Sequence, residues 1–163
     1  GSQIAFMNAG GIRADLLYNQ ISGGEQPGEV TYGEAFTVQP FGNSLITMTL
    51  NGAQIDALLE QQFTGGIGIL QVSDGFAYTR SASAPAGSKV SGITLNGFPV
   101  SPGTTYRVTV KSFLADGGDN YTVLTQGTSR TPGNVDTDAF ENYLKANPAG
   151  ITPGPQNRIT LVP

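Results

Sequence analysis

Three clusters set large or charged side chains beside glycines: NAGGIR (residues 8–13), QPFGN (39–43) and SFLADGGDNY (112–121). Glycine lets the backbone take positive φ and lets a ligand approach closely, and ligand-binding side chains concentrate in loops held by a rigid scaffold. Arg13 offers a two-pronged guanidinium to a phosphate or carboxylate; its ordinary alternatives are a pair with Asp15 or a solvated place at the surface. Phe41 and Phe113 are flat platforms of the kind a nucleobase stacks on, or else packing residues. Phe41 is the less core-like of the two, because Pro40 and Gly42 flank it. Asp119 can accept hydrogen bonds from vicinal hydroxyls, as acidic residues do with ribose, or can stabilise its own glycine turn. Asn8 and Asn43 each present an amide edge that donates and accepts, suited to a base or to turn chemistry.

The 163 residues contain no histidine and no cysteine. Histidine is the commonest general acid–base group near neutral pH and a frequent ligand in hydrolytic metal sites. Its absence moves the reading away from a self-contained hydrolase, although a carboxylate-only site stays open. Without cysteine there is neither a disulfide framework nor a thiolate site. A net charge of −4 argues against binding nucleic-acid polymers, which demands basic patches, but permits a small anion held by one or two arginines. No apolar run is long enough to span a bilayer. Gly65-Gly66-Ile67-Gly68 lacks the lysine and the helix of a phosphate loop and reads as a helix terminator.

The elements that must position these clusters read as α+β, a single domain with a mixed β-sheet and flanking helices. Strands are expected at 3–7, 44–50, 67–72, 76–81, 89–95, 105–111 and in the closing RITLVP, with a turn at Asn51-Gly52 and a hairpin at Asn96-Gly97. A short helical turn is expected over Tyr32–Phe36. A full helix is expected over Ala53–Phe63, where Ile55, Leu58, Leu59 and Gln62 share a face. The last helix is expected over Thr137–Ala146, with Asp136 as N-cap and Phe140, Tyr143 and Leu144 as its apolar stripe. The Pro/Gly-rich stretch 147–155 reads as a loop. Gly1-Ser2 reads as the remnant of a cleaved tag, and residues 3–163 as one domain of a longer protein.

In this order and spacing, NAGGIRADL, YGEAFTVQPFGN and FLADGGDNY resemble the C-terminal domain of the 5'-nucleotidase family, which includes UDP-sugar hydrolases and 2',3'-cyclic phosphodiesterases. The resemblance covers nearly the whole chain. It implies a substrate-recognition domain that binds a small-molecule nucleotide or nucleoside and works with an N-terminal metallophosphatase domain. That partner, not this chain, would carry two divalent metal ions. Arg13 would contact the phosphate, Phe41 and Phe113 would sandwich the base, and Asp119 would bind the ribose hydroxyls. Asn8 and Asn43 would be candidates for base or ribose contacts. The family's further arginines, upstream of NAGGIR, have no counterpart here, so the phosphate subsite reads as incomplete. The implied location is extracellular, cell-surface or periplasmic. A different class of function, a cell-surface binding or adhesion module that kept the fold without a catalytic partner, is the alternative; metal motifs of the Asp-x-His and Asn-His-Glu kind upstream would separate the two.

Overall fold

The computed structural model describes all of residues 1–163 and gathers the strands into a five-stranded and a four-stranded sheet. The first has the order β3-β1-β7-β2-β8, from β1 (Ile4–Met7), β2 (Ser44–Asn51), β3 (Gln71–Val72), β7 (Thr105–Lys111) and β8 (Thr128–Val135). The second has the order β6-β5-β4-β9, from β4 (Phe76–Ser81), β5 (Val90–Leu95), β6 (Phe98–Pro99) and β9 (Ile159–Val162). Pairs β1–β7 and β4–β9 run parallel and the others antiparallel. Four helices complete the chain: α1 (Tyr32–Val38), α2 (Gly52–Gln61), α3 (Ser112–Ala115) and α4 (Asp136–Lys145). The α+β class with mixed sheets is as expected.

Strand alternation decides where the core sits. Ile4 and Phe6 on β1, Met48 and Leu50 on β2, and Val108 and Val110 on β7 point to one side, where they meet Phe76 and Tyr78 of β4 and the Ile55, Leu58 and Leu59 face of α2. Phe6 and Phe76 join the sheets edge to face, with centroids 5.3 Å apart. Gln62, expected on the same helical face, is buried there as a polar clasp. Its amide nitrogen donates to the Leu59 carbonyl, and its oxygen accepts from the Leu70 N–H and the Tyr78 hydroxyl.

Several expectations need correction. Asn51-Gly52 makes no free turn: Asn51 ends β2 and caps α2 in a reciprocal box with Gln54. Gly52 packs so closely that a Cβ would stand 2.1 Å from the Ser101 carbonyl oxygen. Gly52→Ala is therefore expected to destabilise the protein by about 1–3 kcal/mol, measurable by urea unfolding; an unchanged midpoint would refute this packing. The strand expected at 67–72 shrinks to Gln71–Val72, because Ile67–Leu70 spends its polar backbone on Asp119, Tyr121 and Gln62 instead of on a ladder. Strand β8 was not expected at all. It is almost wholly exposed and carries Pro132 and Gly133, composition that only a sheet edge tolerates. The N-cap of α4 is Val135 and not Asp136, whose carboxylate is turned inward.

Helix α3 was likewise not expected, α1 runs two residues past the expected turn to Val38, and the expected apolar stripe of α4 is not buried, with Tyr143 53% exposed. The hairpin and the Pro/Gly-rich loop agree with the sequence. Asn96 and Gly97 both have positive φ and close the β5–β6 hairpin with Leu95 opposite Phe98. Residues 147–155 contain no regular element.

Candidate functional site

The three glycine clusters converge at the ends of β1 and β7. The strand β1 runs into a 3-10 turn, Ala9–Gly11, and β7 runs into α3 and then the Gly117-Gly118 bend. The QPFGN loop leaves α1 and enters β2, which pairs with β7.

Hydrogen bonds and cation–ring contacts bring the six candidate residues together in pairs. The Asn8 amide donates to the Asp119 carboxylate at 2.7 Å, which holds Asp119 in a left-handed conformation with φ 53°. Asn8 is buried and its Oδ1 has no hydrogen-bond partner. The Asn43 Oδ1 accepts from the Ser112 hydroxyl and the Phe113 N–H, at 3.1 and 3.2 Å, and so ties the Phe41 loop to the start of α3. Each asparagine thus uses one end of its amide in a long-range contact within the protein, the nitrogen of Asn8 and the oxygen of Asn43. Arg13 forms no ion pair with Asp15. Its guanidinium touches the Gly10 carbonyl at 3.4 Å and lies 5.8 Å from the centroid of Phe41, leaving most of its donors free.

Phe41 and Phe113 remain 53% and 47% exposed, and neither forms an aromatic pair with another ring. They therefore do not belong to the core. The Phe113 ring packs its Cε1–Cζ side close to Gly118, where a Cβ would come within 2.6 Å of it. Tyr121 braces this region by donating to the Gly68 carbonyl. Burial, with the nearby Asp119 and Tyr78, raises its hydroxyl pKa to about 12, which keeps it a donor.

Sequence reading missed the group that locks these loops together. Lys111, the last residue of β7, is buried and donates to the Gly11 carbonyl at 3.2 Å. It stands 3.1 Å from Asp136 Oδ2 and 5.5 Å from the Phe41 centroid. Asp136 Oδ2 meets the ammonium outside hydrogen-bond angles; at this separation the charges still attract, because Coulomb energy has no angular requirement. One lysine thereby joins the NAGGIR turn, the QPFGN ring and the start of α4. No three His, Cys, Asp or Glu side chains are placed to hold a metal ion, so the residues present do not fit a metal centre.

The chain is thus a mixed-sheet α+β domain that presents two half-exposed phenylalanine rings, an exposed guanidinium and a carboxylate held by an amide. The chain matches the family model "5'-nucleotidase, C-terminal domain" over residues 1–126 and belongs to that family. It is 36% identical over 172 residues to the trifunctional nucleotide phosphoesterase protein YfkN of Bacillus subtilis, covering 99% of this chain and 11% of the relative. A cell wall protein, Lmo0130, of Listeria monocytogenes is 34% identical, with 86% and 18% covered. Among solved structures, the 5'-nucleotidase precursor of Thermus thermophilus superposes with a TM-score of 0.83 at 38% identity, covering 99% of this chain and 32% of the other. The chain spans a third or less of the length of these relatives. No helix is long and apolar enough to cross a membrane.

Proposed function

We infer that this chain is the substrate-recognition domain of a secreted or cell-surface, metal-dependent 5'-nucleotidase-type phosphohydrolase. The observation that carries this reading is the pair of half-exposed phenylalanines, one on the QPFGN loop and one on α3, tied through Asn43, with Asp119 and Arg13 in the same loop clusters. In it a nucleobase stacks between Phe41 and Phe113, ribose hydroxyls meet Asp119, and the phosphate points to Arg13. The Asn8 nitrogen positions Asp119 and the Asn43 oxygen positions Phe113, while the Asn43 Nδ2 remains for a base or ribose contact. The two divalent metals belong to a metallophosphatase domain outside this chain.

Arg13 alone supplies little charge to a dianionic phosphate on a chain of net charge −4. Adenosine and AMP are thus expected to bind with similar, modest affinity, about 10 μM to 1 mM, by calorimetric titration. The isolated chain is expected not to hydrolyse AMP when divalent metals are added. AMP binding about a hundredfold tighter than adenosine would show a complete phosphate subsite and overturn the division of labour proposed here. The Listeria relative's description as a cell wall protein favours a second reading, a surface binding module without catalytic partner. Absence of metal-ligand motifs from the full-length protein, together with no nucleoside binding, would select it.

A further inference from the structure

Two arginines of the second sheet play no part in the site above. Phe76, Tyr78 and Arg80 follow one another at the strand period of two, and the register with β9 (Tyr78 opposite Ile159, Arg80 opposite Leu161) is unbroken there. The row that buries Phe76 and Tyr78 in the core therefore ends in a guanidinium. Arg80 is only partly exposed and has neither an ion pair nor a hydrogen bond to any group of the chain. Burial pushes the Tyr78 hydroxyl up, while its hydrogen bond with Gln62 and the charge of Arg80 work in the opposite direction. Arg158, at the entry to β9, donates to the Val72 carbonyl at 3.1 Å and pairs at 3.3 Å with Asp74, a carboxylate 95% exposed. So exposed a partner neutralises little.

Both arginines line one cleft of about 540 Å³, together with Gln71 and Gln156. It lies at the seam where the β3 edge of one sheet meets the β9 edge of the other. Ile12 forms part of its wall, whereas Arg13 does not. We propose that this seam is a second anion site, separate from Arg13, which takes a phosphate group, free or carried on a small organic body. Two guanidinium forks exceed what one carboxylate can satisfy, while the oxygens of a phosphate accept from both. The two glutamines add amide donors, and the cleft is of the size that holds small organic ligands.

The test follows the arginine Nε–Hε NMR signals during titration with inorganic phosphate, against sodium chloride at equal ionic strength. The Arg80 and Arg158 signals are expected to move together along one saturable curve. Arg80→Gln is expected to weaken binding about tenfold, the worth of hydrogen bonds to a charged group, and Arg80→Lys, which keeps charge without the fork, by less. Arg13→Gln is expected to leave the curve unchanged. Glycerol 3-phosphate binding more tightly than inorganic phosphate assigns the site to a carried phosphate, and equal binding assigns it to the free ion. Shifts no larger than with chloride, an unchanged midpoint in Arg80→Gln, or loss of binding in Arg13→Gln would each overturn the proposal. Because the readout is phosphate binding at named side chains, it stands or falls apart from nucleoside recognition.

Discussion

Lys111→Ala is expected to lower the unfolding free energy by about 3–5 kcal/mol, seen as a drop in urea midpoint at unchanged slope. The substitution strands Asp136, whose side chain is 1% exposed, as a lone carboxylate under α4. It also removes the donor from the Gly11 carbonyl. Breaking a buried pair on one side is much costlier than replacing both partners by apolar groups. The double variant Lys111→Met/Asp136→Leu should therefore recover more than half of the loss, with a residue left for the unpaired Gly11 carbonyl. A shift below about 1 kcal/mol in Lys111→Ala, the scale of an exposed ion pair, would show that the ammonium finds no real partner there. The same variant frees the QPFGN ring from its 5.5 Å contact, so nucleoside binding should weaken with stability.

That lysine also marks where sequence reading stops. In TYRVTVK the alternation is legible: Tyr106, Val108 and Val110 face the core, and Arg107, Thr109 and Lys111 face the other way. Facing away from the core is not the same as facing water. Whether Lys111 is solvated depends on α4, which begins 25 positions later and arrives through the exposed strand β8. That strand carries no alternation, because a sheet edge needs no buried face, so neither β8 nor the cover it delivers could be read. Strands with one buried face, and a helix with apolar residues at the 3.6 period, were legible because burial itself imposes those periods.

The candidate site was legible as residue types and not as roles. Phe41, between Pro40 and Gly42, marks a loop, and Phe113 sits in the one-turn helix α3 just before the Gly117-Gly118 bend, places where a large ring can stay exposed. What the sequence could not assign was the partner of each amide. Asn8 meets Asp119 across 111 positions and Asn43 meets Phe113 across 70, and no local pattern encodes contacts so distant. Both asparagines sit at ends of β1 and β2, strands that flank β7 on either side, so the sheet order alone brings them to the loop after β7.

Phe41→Ala and Phe113→Ala are each expected to weaken adenosine binding by about 5- to 150-fold, the equivalent of losing 1–3 kcal/mol of stacking. AMP should lose as much, since stacking does not involve the phosphate. The two rings present unequal surfaces. Gly118 packs against the Cε1–Cζ side of the Phe113 ring, so part of that ring is already occupied. Phe41 has Arg13 and Lys111 within 6 Å of its ring centre, and its loss also uncovers the buried lysine. Phe41→Leu is the control that keeps the lysine covered while removing the aromatic face. Gly118→Ala supplies a further check, because its methyl group must displace the Phe113 ring and carbonyl without deleting the ring, and it should weaken binding in the same direction. If one base lies between both rings, removing the first leaves the second less to hold, and the double variant should lose less than the sum of the singles. Additive losses would mean that the rings act at separate places. Unchanged adenosine affinity in both alanine variants would mean that no base stacks there, and the two exposed rings would need another occupant.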